Sequence, residues 1–282
     1  MKSLSIEIKN PISLDDCLKQ QLYFSRKSIY LAKQEKRLLV NGETVQQNQQ
    51  LQPGDELLFL YEKQEKLNYS PVEYPLNVLY EDDLLLIIDK PYGYIVHSDG
   101  NQTVTVNNFV AAYYKKTHQK HAIYNLHRLD KETSGCLLYC KEAYLVSFFA
   151  HQIEYKITQR SYLAWVEGNI RDDLIIDQPI ARDRHVSNRF RVSREGKEAL
   201  TEVYPLKHLK GYTLVRCVLQ TGRTHQIRVH LSSIGHPIVG DSFYGAKENK
   251  RMMLHSYEVQ LFDPLVNDTI RISALPDAEF NP

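Results

Sequence analysis

Charged and polar residues are concentrated in the middle of the chain, in the nine-residue segment His127–Gly135, which reads H-R-L-D-K-E-T-S-G. The segment directly precedes an apolar stretch that begins at Cys136, and functional side chains often lie where a loop meets a regular element. A carboxylate such as Asp130 can act as a covalent nucleophile. A solvated charged loop would have a similar composition, so the segment alone leaves both interpretations open.

A second polar segment, Thr221–Gln226, lies between a predicted strand and a predicted helix. Arg223 is expected at the start of that helix, where free backbone N–H groups and the helix dipole favour an anion. That anion is either a phosphate group or a carboxylate of the protein, such as Asp130.

Sequence patterns of several other enzyme classes are absent. His225 and His230 are five residues apart, so on a helix they point about 140° away from each other and cannot share a ligand face. No G-x-S-x-G, G-x-x-x-x-G-K-[ST] or G-x-G-x-x-G motif occurs. We therefore predict an enzyme that uses a carboxylate and needs neither a metal nor a cofactor. The histidines assigned to hydrogen bonding instead are His225, His230, His236 and His255.

The elements that must position these segments form an α+β pattern. Strands are predicted at Leu84–Asp89, Cys136–Lys141, Ser161–Glu167 and Tyr212–Gln220, and helices at Thr105–Lys116, Ala143–Ile153 and Thr224–Ile234. Because the spacing is not that of regular βαβ units, we predict a mixed, mainly antiparallel central sheet flanked by helices and loops. This domain is expected over residues 78–282, after a charged linker at 62–77.

The first 61 residues form a smaller predicted unit. Ser13 and Ser25 are suited to cap two short helices, Asn41-Gly42 predicts a tight turn, and Pro53-Gly54-Asp55 predicts a turn before the strand Glu56–Tyr61. With its S-R-K, V-N-G and P-G-D motifs, this unit resembles the S4 RNA-binding domain. The resemblance implies a small α/β domain over residues 1–61 that binds RNA.

The composition points to a protein of the cytoplasm. The longest apolar runs are far shorter than a membrane span, and the N-terminus has no signal-peptide pattern. None of the four cysteines forms a C-x-x-C pair, and we expect Cys136 and Cys140 to be core residues on one strand. We predict a monomer that does not associate with a membrane.

Basic residues are clustered although the net charge is only +1. Six Lys or Arg and one acid occur from Lys19 to Arg37, and eleven against four from Arg182 to Arg228. Two such stretches are typical of phosphate-binding surfaces, although a solvated basic face is the alternative. The predicted RNA contacts in these stretches are Arg26, Lys27, Lys33, Lys36, Arg37, Arg189, Arg191 and Lys197.

Taken together, the motifs of the larger domain resemble those of RluA-type pseudouridine synthases from about Val78 to Pro264. The matching segments are Tyr80–His97 with its K-P-x-G, His127–Gly135, Thr221–Asp241 and the L-H-S of Leu254–Ser256. The resemblance implies isomerisation of uridine to pseudouridine in structured RNA, with ribosomal RNA preferred over transfer RNA as partner.

The same resemblance implies roles for individual residues. Asp130 matches the nucleophile, Tyr162 the tyrosine of the strand motif, and Arg223 an arginine expected to pair with the catalytic carboxylate. Arg128 is expected to enter the RNA stack where the target base leaves. Further RNA contacts are expected at Lys90 and His127.

The reaction fits these residue types, because it moves the base from N1 to C5 attachment with no redox change and no loss of atoms. A carboxylate can attack C6 of the base or C1′ of the sugar, and the sequence leaves both open. Two other functions are alternatives. A non-catalytic RNA-binding protein is one, and the presence of Asp130, Tyr162 and Arg223 argues against it. A nucleotide hydrolase is the other, and the metal and phosphate motifs for it are missing.

Overall fold

A computed structural model describes residues 2–61, 65–98 and 104–282. The N-terminal part contains β1 Lys2–Glu7, β2 Ile12–Ser13, α1 Leu14–Gln21, α2 Arg26–Gln34, β3 Leu38–Val40, β4 Glu43–Thr44, β5 Gln50–Leu51 and β6 Glu56–Tyr61. The remainder contains the strands β7 Asn77–Glu81, β8 Leu85–Lys90, β9 Tyr124–Asn125, β10 Ser134–Cys140, β11 Gln159–Glu167, β12 Leu174–Asp177, β13 Ile180–Arg182, β14 Phe190–Val192, β15 Leu200–Leu209, β16 Tyr212–Leu219, β17 Leu254–Asp263 and β18 Asp268–Ser273. Its α-helices are α3 Val106–Lys116, α4 Val146–Glu154 and α5 Gln226–Ser233.

The N-terminal elements form as local sequence chemistry predicts. The Ser13 hydroxyl accepts the N–H of Asp16 at 3.2 Å, and the Ser25 hydroxyl accepts the N–H of Ser28 at 3.0 Å, so each serine caps its helix. Asn41 and Gly42 both have positive φ, as a two-residue hairpin turn requires. The strands pair in the order β1-β6-β3-β4, which includes a first strand that we did not predict.

The central sheet confirms the predicted α+β class. Its strands follow the order β12-β15-β16-β11-β17-β10-β8-β7, with β18 paired to β17 and β9 to β10. All of these pairs are antiparallel except β10–β17, which is parallel. Cys136 and Cys140 are buried on β10, as predicted, and all four cysteines are free thiols.

Two predicted helices differ from the observed ones at their first turns. The segment predicted as one helix from Ala143 begins with a 3₁₀ turn, Ala143–Leu145, before α4. The helix predicted from Thr224 begins at Gln226, because His225 has left-handed backbone angles (φ 56°). Arg223 therefore lies in the turn before the helix and not at its N-terminus.

The N-terminal unit packs directly on the larger domain. Leu57 and Phe59 share one apolar cluster with Leu85, Leu138 and Phe149. The connecting residues 65–76 have no helix or strand, yet they are not a free tether: the N–H of Val72 donates to the carbonyl of Asn108 at 3.1 Å, and Leu67 and Tyr74 pack on the larger core. No helix among the described residues combines the length and apolar character needed to cross a membrane.

The parallel pair β10–β17 fixes the strand that follows the polar segment His127–Gly135. Gly135 lies opposite Ser256 in the register, with φ of 104°. A Cβ added at Gly135 would lie 2.2 Å from the carbonyl oxygen of Ser256. Glycine is therefore required here both by the backbone angle and by the close approach of the two strands.

We expect Gly135→Ala to lower the free energy of unfolding by more than about 2 kcal/mol, because it adds a backbone clash to the cost of positive φ. Gly211→Ala is the matched control: φ there is 83°, but nothing lies within 4 Å of the added carbon. The control should cost only about 1 kcal/mol. Equal losses in urea denaturation of the two variants would contradict the close approach of β10 and β17.

Candidate active site

Asp130 lies in the loop that leads into β10, and its carbonyl accepts the N–H of Thr133 at 3.1 Å. Its side chain is 20% exposed and faces a cavity of about 130 Å³. The cavity brings together residues from four separate parts of the sequence. Among its lining residues are Arg128, Asp130, Arg160, Tyr162, Arg223, His225 and Arg228.

Lys90 holds the backbone of this loop from beneath. Its ammonium group donates to the carbonyls of Thr133 at 2.7 Å, Pro91 at 2.9 Å and Lys131 at 3.2 Å. The side chain is fully buried, and this burial lowers its pKa to about 7. The prediction that Lys90 contacts RNA is therefore wrong: it is a structural support of the Asp130 loop.

Arg228, on the first turn of α5, is the arginine that faces Asp130. Its Nε and Nη2 each donate to the carboxylate of Asp241 at 2.7 Å, and Nη1 donates to Oδ2 of Asp130 at 3.4 Å. Burial disfavours the guanidinium charge, but the hydrogen bonds and charge of Asp241, with help from Asp130, outweigh it and raise the pKa of Arg228. The cation is thus permanent, and one Asp130 oxygen is fixed by it.

The structure contradicts the expected pairing of Arg223 with Asp130. Arg223 is exposed in the cavity wall, and its Nε donates to the carbonyl of Glu198 at 2.8 Å. The turn that holds it is closed by Gln226, whose side-chain oxygen accepts the N–H of Arg223 at 3.0 Å. Because α5 starts only after this turn, Arg228 takes the position expected of Arg223.

His225 is the second group near the Asp130 carboxylate. Its Nε2 lies 3.7 Å from Oδ2 of Asp130, and its Nδ1 lies 2.8 Å from the hydroxyl of Tyr244. Burial lowers the pKa of His225; Asp130 opposes this and Arg228 reinforces it. The imidazole is therefore neutral at pH 7.

Tyr162 forms part of the cavity wall from β11. The register of β11 against β17 shifts between Ser161 and Tyr162, and such an irregularity re-aims the side chains that follow it. The side chain of Tyr162 is 5% exposed, and burial raises the pKa of its phenol. It therefore presents a neutral hydroxyl and an aromatic ring beside Asp130.

Seven of the predicted RNA contacts have side chains that solvent can reach. Arg128 is exposed at the cavity, and Arg189 is half-buried with its guanidinium 5.6 Å from the ring centre of Tyr244. The other exposed members are Arg26, Lys27, Lys36, Arg191 and Lys197. All of these remain available to phosphate groups.

Three other predicted RNA contacts are contradicted. Lys33 is buried against Asp15, and Arg37 is buried between Glu35 at 2.9 Å and Glu142 at 3.4 Å. The ring of His127 accepts the N–H of Leu138 at 3.3 Å, and burial, followed by the charge of Arg160, lowers its pKa to about 3. These side chains stabilise the fold, and Arg37 ties α2 to the larger domain.

The other three histidines assigned to hydrogen bonding, His230, His236 and His255, form hydrogen bonds as predicted. His230 bonds to Thr201 and to the carbonyl of Gln178, each at 2.9 Å, and His255 bonds to Ser134 at 2.8 Å. His236 bonds to the carbonyl of Glu167 at 2.8 Å. Over the described ranges, no group of three or more His, Cys, Asp or Glu side chains is placed to hold a metal ion.

Sequence reasoning missed Arg228, Asp241, His225 and Tyr244 as parts of the site. A signal was present for Arg228, which stands between the apolar residues Ile227 and Val229 of α5, since a buried arginine requires a buried carboxylate. The assembled geometry offers a carboxylate held at one oxygen, a phenol, and a flanking exposed arginine. Such a site can perform nucleophilic and proton-transfer chemistry on one small planar group.

Comparison with known proteins supplies the family. The family model for RNA pseudouridylate synthase matches residues 84–233, more than half of the chain, and the model for the RluD ribosomal pseudouridine synthase N-terminal domain matches residues 4–57. The first match contains Asp130, Tyr162 and Arg228, so the whole cavity described above lies inside it apart from Leu254.

Individual relatives agree with the family models. The chain is 37% identical to the uncharacterized RNA pseudouridine synthase YhcT of Bacillus subtilis, over 83% of this chain and 80% of that protein. It is 32% identical to ribosomal large subunit pseudouridine synthase D of Yersinia pestis, over 81% and 76%.

A solved structure, human RNA pseudouridylate synthase domain containing 1, shares the fold with a TM-score of 0.61 at 24% identity, over 72% of this chain and 83% of that one. The resemblance to RluA-type enzymes is thereby confirmed. The chain belongs to the RNA pseudouridylate synthase family and is an RNA pseudouridine synthase with a RluD-type N-terminal domain.

Proposed function

We propose that this enzyme isomerises specific uridines of ribosomal large-subunit RNA to pseudouridine, with Asp130 as the nucleophile. The choice of RNA is supported by relatives that are named ribosomal large subunit pseudouridine synthase D. Such a substrate agrees with the predicted cytoplasmic location. The observation that carries the role of Asp130 is its carboxylate in the cavity, held at Oδ2 by Arg228.

The first step is removal of the target base from its stack. A uridine in structured RNA must rotate out of the helix to reach Asp130, at a cost of a few kcal/mol. Arg128 is exposed beside the cavity and can occupy the space that the base leaves. Exposed basic side chains on α2 and β14, including Arg26, Lys27 and Arg191, offset the cost through phosphate contacts.

The chemical step needs a nucleophile and a proton acceptor. Both near neighbours of the carboxylate, Arg228 and His225, approach Oδ2, so Oδ1 is the oxygen available for attack on C6 of the base or C1′ of the sugar. The N1–C1′ bond breaks, the base turns, and C5 bonds to C1′. The bond between Oδ1 and the substrate carbon also breaks, which returns the free carboxylate. The C5 proton then leaves, and N1 is protonated. Tyr162 can stack on the base and assist removal of the C5 proton.

We expect Asp130→Asn to abolish pseudouridine formation on ribosomal RNA, because the amide cannot supply the negative oxygen. Its RNA affinity should stay within about tenfold of the parent, about 1.4 kcal/mol, since affinity comes from the basic surfaces. Pseudouridine must be detected chemically or by chromatography, because it has the mass of uridine. If fresh enzyme, shown by mass to be free of deamidated Asp, still converts uridine, Asp130 is not the nucleophile.

The two arginines of the segment Thr221–Asp241, Arg223 and Arg228, provide a matched pair. Arg228→Lys keeps the charge but loses the two-bond contact with Asp241, so turnover should fall by about 100-fold. For Arg223→Lys the reduction in turnover should be smaller by a factor of at least about ten, because Arg223 binds only the backbone carbonyl of Glu198. Single-turnover rates of both variants at saturating RNA make the comparison, and a larger loss in Arg223→Lys would contradict the assignment.

Removing only the hydroxyl of Tyr162 separates its two roles. We expect Tyr162→Phe to bind RNA like the parent, since the ring is kept, but to turn over about 100-fold or more slowly. Binding is measured by filter retention and turnover by pseudouridine yield. A parent-like rate would leave Tyr162 with stacking alone.

A further inference from the structure

Tyr244 is a buried polar residue that the reaction described above does not use. It ends the 3₁₀ turn Ser242–Tyr244, directly after Asp241, and only 4% of it is exposed. Its hydroxyl oxygen accepts the N–H of Phe190 at 3.1 Å and lies 2.8 Å from Nδ1 of His225. The same turn thus carries the partner of Arg228 and a partner of His225.

The hydrogen bonds around His225 define the position of its proton. Burial lowers the pKa of His225, so the ring is neutral and has one donor and one acceptor. Nε2 faces Oδ2 of Asp130 at 3.7 Å, and a carboxylate oxygen only accepts, which favours the imidazole proton on Nε2. Nδ1 is then the acceptor for the Tyr244 hydroxyl. The separation of Nε2 and Oδ2 exceeds a hydrogen bond by about half an ångström.

The imidazole is held firmly in this direction. His225 has φ of 56°, in the left-handed region that non-glycine residues adopt uncommonly. The rings of Phe190, Phe243 and Tyr244 meet the imidazole edge-on, with ring centres 5.7 to 6.3 Å away. These contacts aim Nε2 at Asp130 before substrate arrives.

Tyr244 also contacts a surface outside the cavity. Ile180 of β13 and Phe190 and Val192 of β14 pack with Tyr244 and with Val229 of α5. Exposed basic side chains that follow or lie on these strands are Arg182, Arg184, Arg191, Arg194 and Lys197. The paired strands β13 and β14 form a hairpin. If RNA binding shifted this hairpin, the hydrogen bond from the N–H of Phe190 would move the Tyr244 hydroxyl.

We propose that Tyr244 and His225 form a relay of positioning residues that orients Oδ2 of Asp130 and links the nucleophile to the hairpin β13–β14. The proposal rests on the assigned role of Asp130. In the relay, the Tyr244 hydroxyl selects the imidazole tautomer, and the Nε2–H of His225 orients the carboxylate so that Oδ1 remains for attack. Closure of the 3.7 Å gap accompanies binding of RNA to the hairpin.

Tyr244→Phe tests the relay because it removes one hydroxyl and keeps the ring. We expect the single-turnover rate at saturating RNA to fall by about 10- to 100-fold, with RNA affinity within about threefold of the parent. The matched control is Tyr204→Phe, which removes a hydroxyl that donates to Glu202 at 2.8 Å on β15. The control should keep the parent rate.

The imidazole tautomer is a readout that a merely structural role would not move. In ¹⁵N-labelled parent enzyme, long-range ¹H–¹⁵N spectra should show His225 as the Nε2–H tautomer, and in Tyr244→Phe as a mixture or the Nδ1–H form. A parent rate or an unchanged tautomer in Tyr244→Phe would overturn the relay.

A double-mutant cycle completes the test. His225→Asn tolerates the left-handed backbone and removes the imidazole, and adding Tyr244→Phe to it should cause no further loss of rate. If the rate losses of the two single variants multiply in the double variant, the residues act independently and the relay is overturned. The proposed function would still stand in that case, provided that Asp130→Asn is inactive. An active Asp130→Asn enzyme would instead overturn the proposed function, and the relay with it.

Discussion

The interaction on which the active site depends is the sharing of one buried guanidinium between two carboxylates. Asp241 binds Arg228 through two hydrogen bonds of 2.7 Å, while Asp130 receives a single longer one of 3.4 Å. A buried charge without a partner would cost several kcal/mol, so Asp241 is what allows Arg228 to be present at all. Because Arg228 forms its two short hydrogen bonds with Asp241, its single longer bond orients Asp130 and partly balances the Asp130 charge. The Asp130 carboxylate is not locked in a tight ion pair. That division suits a carboxylate whose Oδ1 must stay free to form a covalent bond while Oδ2 keeps its contact with Arg228.

The rest of the fold keeps the Asp130 loop in register with Arg228. Lys90 binds three carbonyls below the loop, and Gly135 allows β10 to lie against β17 where the loop ends. On the opposite side, α5 starts only where the left-handed His225 permits it, which places Arg228 on the first turn. The N-terminal unit contributes through packing on β8, β10 and α4, so its exposed basic residues have a fixed position relative to the cavity.

Local chemistry made much of the fold predictable from sequence. Serine caps, the Asn41-Gly42 turn and apolar segments such as Leu84–Asp89 specify their elements with few alternatives. The identity of the Asp130 partner was not predictable in the same way. Arg223 and Arg228 lie in one motif, and which of them reaches the carboxylate depends on where α5 begins. That point is set by the φ of His225 and by the side chain of Gln226, neither of which appears in hydrophobic periodicity.

Basic residues were the other source of error, for a related reason. Lys33 and Arg37 look like phosphate contacts as long as only the clustering of charge is considered, and the family resemblance suggested the same of Lys90. In the structure Lys90 binds backbone carbonyls, Lys33 binds Asp15, and Arg37 binds Glu35 and Glu142. Folding brings these partners together, so the sequence does not show the pairs. A basic stretch in a sequence thus sets an upper limit on the charge available to RNA. The exposed subset, such as Arg26, Lys27 and Arg191, is defined by packing.

The central claim, a ribosomal pseudouridine synthase whose nucleophile is Asp130, is tested most directly in cells that lack this enzyme. Pseudouridines of the large-subunit ribosomal RNA would be mapped in such cells, and again after return of the parent gene or of a gene encoding Asn at position 130, at equal protein levels. One or more positions should lack pseudouridine in the cells without the enzyme, and the parent gene alone should restore it. An unchanged ribosomal map, or restoration by the Asn form, would contradict the central claim.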